Sequence, residues 1–244
     1  MRRFFIEGKL SDTMEIRGQD ARHISKVLRL ESGDEIFVVD EAGQVGMAAI
    51  QSSHPDVVTV VLRQLVDVSS EPPVQVWLAQ GLPKSDKMEL IVQKAVELGA
   101  AGVIPMVTDF CTVQYDDSKK ASRVSRWQKI AQEAAKQCGR NVVPEISAVR
   151  SLAEVLAGAG KASLLMLYEG ERANSFKEAL RESEANSYLL LVGPEGGFSS
   201  AEAELCRKHG ARSVSLGPRI LRTETAALAG LTMVLYERGD LGGQ

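Results

Sequence analysis

The chain has 244 residues, 29 Lys and Arg against 32 Asp and Glu, and a net charge of −3; 44% of it is hydrophobic and 25% charged. These ordinary globular values exclude wholesale disorder and collagen-like repeats, and the length suits one large domain or a large one beside a small one. No apolar run approaches the roughly 18 residues of a membrane-spanning helix. The opening Met1-Arg2-Arg3-Phe4-Phe5-Ile6-Glu7 is charged again at its seventh residue, so no signal-peptide core is expected. Cys111, Cys138 and Cys206 are odd in number and widely spaced, which fits neither a disulfide framework nor a structural zinc site. A cytoplasmic protein without metal is expected.

Residues 1–70 read as a small β-rich domain. Arg3–Glu7, Met14–Arg17, Glu35–Asp40, Val45–Gln51 and Val57–Leu65 are short stretches rich in β-branched or aromatic residues, separated by turns at Gly8, Gly33, Gly43 and His54-Pro55. One helix, Asp20–Leu30, interrupts them, with Ile24, Val27 and Leu28 on one face and His23, Lys26 and Arg29 on another. Five strands and a helix predict a small barrel. Ser69-Ser70-Glu71-Pro72-Pro73 is the expected linker.

Residues 74–244 alternate strands and helices, which predicts an α/β layer on a parallel sheet. Val74–Gln80 is a strand. Lys84–Leu98 is a helix, with Asp86 and Glu89 as a capping pair and Gly99 as its stop. Val103–Val107 is a strand and Ser118–Cys138 a long basic helix. The apolar runs Ser163–Tyr168 and Tyr188–Val192 suit strands buried on both faces. A helix opened by the capping box Ser199-x-x-Glu202 and closed by Gly210 follows, then a strand, Ser213–Leu216. The last helix runs from about Thr223 to Glu237. Nine of its twelve residues Thr225–Tyr236 are apolar, so it is buried within the chain or at a subunit interface, and a dimer is expected.

Charge is uneven. Residues 1–30 hold seven Lys and Arg against four acids, residues 31–72 one against eight, and residues 119–140 seven against the single Glu133. The last cluster is either a solvated helix face or a local track for a phosphate backbone.

Two loops could carry chemistry. Gly193-Pro194-Glu195-Gly196-Gly197 joins a buried strand to a capped helix, where open α/β sheets bind ligands. It is neither a P-loop nor GxGxxG, so it is a ligand loop or a tight turn that needs glycine. Leu216-Gly217-Pro218-Arg219-Ile220-Leu221-Arg222-Thr223-Glu224-Thr225 turns at Gly-Pro, presents two arginines and enters the last helix, with Thr223 as N-cap and Glu224 in the first turn.

These two loops, followed by Ala226, resemble the signature of the RsmE family, bacterial 16S ribosomal RNA uracil-N3 methyltransferases of the SPOUT superfamily. The resemblance spans the chain: His23-Ile24-Ser25-Lys26-Val27-Leu28-Arg29, Lys87-Met88-Glu89, Gln93 to Gly99, Gln137-Cys138-Gly139-Arg140-Asn141 and Pro144-Glu145-Ile146 also match its blocks in order. It implies a PUA-like RNA-binding barrel followed by a mostly parallel SPOUT domain tied in a trefoil knot, a homodimer, and S-adenosylmethionine as cofactor. The cofactor would be held by Leu167, Tyr168 and Glu169, by Gly193, Pro194, Glu195, Gly196 and Gly197, and by Leu216, Gly217, Arg219, Ile220 and Leu221.

The implied substrate is a uridine of 16S rRNA in the 30S subunit. Uracil N3 carries a proton at neutral pH, so a carboxylate base or a cation beside the carbonyl oxygens is needed. Glu224 is the candidate base, and Arg222 and Arg3 are the candidates for gripping the uracilate or its phosphate. Because N3 takes part in base pairing, the target must be unpaired or flipped out. Phosphate contacts are expected from Arg3, His23, Lys26 and Arg29 of the small domain and from Lys84, Lys87, Arg123, Arg126 and Arg140 of the large one. Two other readings remain: a SPOUT ribose 2′-O-methyltransferase of rRNA or tRNA, whose usual Ser-Leu-Asn stands here as Arg222-Thr223-Glu224, and a non-catalytic ribosome-assembly factor.

Overall fold

The computed structural model describes residues 2–242; Met1, Gly243 and Gln244, the outer ends of the two expected domains, lie outside the described residues. The chain divides into two compact units. One takes the chain up to Glu71 together with Ala135–Val143; the other takes Pro72–Ala134 and the chain from Pro144 onward.

In the first unit β1 (Arg3–Phe5), β2 (Thr13–Arg17), β3 (Glu35–Val39), β4 (Val45–Ser53) and β5 (Val57–Val66) form one sheet in the order β1-β3-β4-β5-β2. Only the β1–β3 pairing is parallel. Side chains alternate as a half-buried sheet requires: Met14 and Ile16 point inward while Thr13, Glu15 and Arg17 are exposed. Register shifts at Met47/Ala48 and Ile50/Ser52 bend β4 against β5. Phe4, Ile16, Ile36, Val38, Ile50 and Val60 fill the core.

The expected helix over 20–30 is instead α1 (Gly18–Arg22) followed by a π-helical turn, His23–Leu28, that ends at Arg29 with φ of 54°. The wider i→i+5 turn carries Ile24 and Leu28 onto the core and swings Val27 out, leaving it 70% exposed. Val27 therefore leaves the apolar face assigned to it.

Ala135–Val143 was expected inside the larger domain. Glu71 explains why it belongs to the smaller unit: its carboxylate accepts from Arg140 Nε at 3.1 Å and from the Asn141 and Val142 amides at 2.9 and 3.2 Å. Lys136 pairs with Asp20 at 2.7 Å, and Ser70 Oγ donates to the Gly139 carbonyl at 2.6 Å.

The second unit is built on β6 (Gln75–Gly81), β7 (Gly102–Val107), β8 (Glu145–Ile146), β9 (Arg150–Ser151), β10 (Ser163–Leu167), β11 (Ser187–Val192) and β12 (Arg212–Val214). Their order is β12-β10-β11-β6-β7-β8, with β9 also on β7, and every pairing is parallel. Tyr188–Val192 is buried throughout, as a central strand covered on both faces should be.

The helices are α2 (Lys87–Leu98), α3 (Asp117–Cys138), α4 (Leu152–Ala157), α5 (Phe176–Arg181), α6 (Ser200–Lys208) and α7 (Thr223–Glu237). Ser199 and Glu202 form the expected capping box of α6. The expected capping pair of α2 does not form. Ser85 sits in the left-handed region at φ 57°, so the helix starts only at Lys87; Asp86 caps nothing with its side chain, and Glu89 reaches Arg126 at 2.8 Å instead. Thr223 is likewise the first residue of α7 rather than its cap, which is Arg222. From the sheet edge at β12 the chain returns to its middle, where α7 packs on β6, β11 and α2. Its buried side is Ala227, Gly230, Leu231, Val234 and Leu235, and Met233 and Tyr236 stay exposed. Among the described residues no helix is long and apolar enough to cross a membrane.

Candidate functional site

Three loops at the carboxyl ends of β10, β11 and β12 enclose a cavity of about 330 Å³, the position where open parallel sheets bind ligands. Leu167, Tyr168 and Glu169 come from the first loop. Gly193, Pro194, Glu195 and Gly197 come from the second. Leu216, Gly217, Arg219, Ile220 and Leu221 come from the third, which continues into Arg222 and α7. Of the residues expected to hold a cofactor, Gly196 alone does not line the cavity; a Cβ there would meet Phe110 Cβ at 2.8 Å. Arg172, Val192, Phe198, Val214 and Ala226 also contribute walls. No motif marked them in the sequence, since an apolar strand end looks the same with or without a cavity beside it.

Glycine is required where the second loop folds back on itself. A Cβ on Gly193 would lie 2.7 Å from the Gly197 carbonyl carbon, and one on Gly81 would lie 2.6 Å from Pro194 Cδ. The loop is pinned from behind: Thr223 Oγ1 donates to the Gly193 carbonyl at 2.6 Å, and the fully buried Gln80 donates through Nε2 to Thr223 Oγ1 at 2.9 Å and to the Gly81 carbonyl at 2.8 Å. The hydroxyl expected to cap α7 thus ties α7 to the glycine loop. In the first loop, Glu171 accepts from the Arg172, Ala173 and Asn174 amides. The bonds from the Asn174 and Ala173 amides lead in holding its carboxyl below the usual range, with burial opposing.

Lys87 and Glu195 line one wall, and Glu224 completes a charged trio by contact with Lys87 without lining the cavity itself. Lys87 Nζ lies 2.9 Å from Glu195 Oε1 and 3.2 Å from Glu224 Oε2, and the Lys84 amide donates to Glu195 at 3.2 Å. Burial pushes the Glu195 carboxyl up, but the Lys87 ammonium and the surrounding backbone amides outweigh it, so the group sits below its ordinary value. Lys87 is raised, first by its hydrogen bond to Glu195, with Glu224 adding to it against burial. Glu224 Oε2 is buried, and its contact is the ion pair with Lys87 at 3.2 Å.

The other expected residues scatter. Arg222 is exposed beside the cavity. Arg3 belongs to the first unit and is engaged there: its guanidinium donates to Asn141 Oδ1, and burial lowers its pKa against the pull of Glu71 and Cys138. Arg140, expected to touch RNA, is buried against Glu71 and is a structural residue. Lys87 is drawn into the cavity wall. Arg123 and Arg126 both face Glu89, and Lys136 faces Asp20, so much of the basic cluster at 119–140 is paired within the protein. Lys26 and Arg29 are exposed, while the His23 ring meets Phe4 edge-on at 6.3 Å. Lys84 is exposed next to the glycine loop. Lys119 and Arg123 flank the Tyr115 ring at 5.2 and 5.7 Å.

Residues 70–235 match the RNA methyltransferase domain family, and residues 16–63 match the RNA methyltransferase PUA domain. Ribosomal RNA small subunit methyltransferase E of Bacillus subtilis is 36% identical, over 98% of this chain and 100% of its own. The crystal structure of a ribosomal RNA small subunit methyltransferase E from Neisseria gonorrhoeae bound to S-adenosyl methionine superposes with a TM-score of 0.86 at 29% identity, covering 96% of each chain. A putative methyltransferase from Legionella pneumophila with bound SAM gives 0.85 at 31% identity, over 95% of this chain and 96% of that one. The parallel sheet of the second unit and the PUA match of the first agree with the expected fold class.

Proposed function

The chain belongs to the ribosomal RNA small subunit methyltransferase E family, and on that premise we propose that it transfers a methyl group from S-adenosylmethionine to N3 of one uridine of 16S rRNA. The observation that carries the reading is the three-loop cavity with Lys87 on its wall and the Glu224 carboxylate 3.2 Å from that ammonium. The residues fit the cofactor: the glycine loop is too tight for side chains at Gly193, and Leu167, Val192, Phe198, Val214 and Leu216 offer apolar walls for an adenine ring. When bound, S-adenosylmethionine would supply an electrophilic methyl group on a sulfonium.

The chain's own work is positioning and proton handling. Glu224, paired with Lys87 beside the cavity, takes the N3 proton. Arg222, exposed at the same rim, holds the uracilate or the adjoining phosphate. Lys26, Arg29 and Lys84, all exposed, engage the RNA backbone. The substrate is the 30S subunit in the cytoplasm, and the working form is a homodimer, a reading supported by the exposed apolar residues Met233 and Tyr236 of α7 and by Ile220, 80% exposed at the cavity rim.

The test is incubation of the protein with labelled cofactor and 30S particles that lack the modification, followed by mass-spectrometric mapping. Label on N3 of a single uridine is expected; label on a ribose, or on no rRNA, overturns the proposal. Glu224→Gln should lower turnover on the order of 100-fold or more, the range lost with a general base, while calorimetry finds cofactor affinity kept.

A further inference from the structure

Lys87 stands between two carboxylates with unequal claims on it. Glu195 holds it by a hydrogen bond of 2.9 Å, and Glu195 is itself fixed by the Lys84 amide at 3.2 Å. Glu224 holds it less closely, at 3.2 Å. An ammonium carries three donors, and Lys87 lines the cavity together with Arg222 and the glycine loop. A cation already matched by two carboxylates is a poor ligand for phosphate. It is well placed to follow a negative charge that moves a short distance.

We propose that Lys87 is a catalytic residue: anchored by Glu195, its ammonium moves its charge contact from Glu224 to a carbonyl oxygen of the target uracil as the N3 proton passes to Glu224. The inference rests on the uracil-N3 reading above. The N3–H proton goes to the Glu224 carboxylate, which becomes neutral, and the charge left on the uracil spreads over N3 and its flanking oxygens. The N3 electron pair forms the bond to the methyl carbon, the carbon–sulfur pair returns to sulfur, and Glu224 later yields its proton to water. Net charge in the wall is unchanged through the proton transfer, so Lys87 has only to exchange one oxygen for another. A preorganised donor aimed at developing charge is worth most in such a partly desolvated place.

The experiment compares the unaltered protein with Lys87→Met, Lys87→Arg and Glu195→Gln. It measures single-turnover methylation of unmodified 30S particles across pH, cofactor binding by calorimetry, and 30S affinity against salt. Lys87→Met should lose on the order of 100-fold in rate at neutral pH, as when one oxyanion donor is removed. Its cofactor and 30S affinities should hold, and its rate should climb as rising pH strips the N3 proton without help. Glu195→Gln, the readout should Lys87→Met not fold, should shift the pH profile the same way by less, and Lys87→Arg, which keeps a cation, should retain more of the rate than Lys87→Met. An unaltered rate in Lys87→Met overturns the inference, as does a loss that appears only as weaker, less salt-dependent 30S binding, the mark of a phosphate contact. A rate loss with an unshifted pH profile and failed cofactor binding also overturns it, since that is a prop for the loop. If the unaltered protein labels no uridine N3, the functional reading falls and this inference with it; if it does and Lys87→Met matches it, this inference falls alone.

Discussion

Gln80 and Gly193 show how little room the cavity leaves at the scale of single atoms. The Gly193 carbonyl is held by Thr223, and its Cα faces the Gly197 backbone, which cannot step aside as a flexible side chain can. Gly193→Ala should therefore weaken S-adenosylmethionine binding at least about tenfold, one 1.4 kcal/mol step, measured by calorimetry. Gly217→Ala has nothing within 4 Å of its new Cβ and bears only the strain of φ near +120°, so its binding loss should be smaller. The charged trio carries a pH signature. Glu195 lies below its ordinary value, so its contribution to stability is complete above the unfolded carboxyl pKa of about 4.3 and disappears as pH falls through the lowered folded value. Lys87 lies above its ordinary value, so its contribution is complete below about pH 10.4 and lost as pH rises through the raised one. Urea unfolding of Glu195→Gln beside the unaltered protein should give a stability gap that is level across neutral pH and closes in acid. A gap that persists at pH 3 would refute the linkage.

Elements were legible in the sequence where they announce their ends or their period over several turns. The box Ser199-x-x-Glu202 starts α6, and α7 runs over the expected span because its apolar run is long. The six-residue helices α4 and α5 were not anticipated, since they are shorter than two turns; the Ser151 and Ser175 caps were the only signals. The π-helical turn departs from the face pattern of the sequence because its residues follow a wider period than the 3.6 of an α-helix. The pairing of Lys87 with Glu224 was illegible for another reason: local propensity says nothing about residues on helices far apart in the chain. Ser199 tests an element twice over, because its hydroxyl caps α6 and donates to Asp109 at 2.6 Å. Ser199→Ala should cost about 1–2 kcal/mol of stability, a cap plus a charge-assisted bond, read as a lower urea midpoint. Ser199→Thr should recover most of it.

On the scale of the molecule, the sequence pattern changes after residue 70, but nothing in it marks the return of Ala135–Val143 to the first unit. That return draws on Glu71 meeting Arg140 and two backbone amides, beside the Asp20–Lys136 pair, and nothing in a linker of serines and prolines singles Glu71 out. Glu71 is 23% exposed and Arg140 is buried, so Glu71→Ala, which takes a carboxylate from the buried guanidinium, should lower stability by roughly 2–3 kcal/mol in urea unfolding. The double replacement Glu71→Leu with Arg140→Met should cost less than Glu71→Ala alone, because no charge is then left stranded.

Apart from Lys87, every wall of the cavity comes from residues 167–226, and Thr223, which holds the Gly193 carbonyl, arrives with the last of them. During translation, therefore, a nascent chain has no donor site until its last helix emerges. A message truncated before α7 would yield a protein able to present its small sheet unit and unable to hold a methyl donor, so the capacity to modify ribosomes arises late in synthesis and all at once.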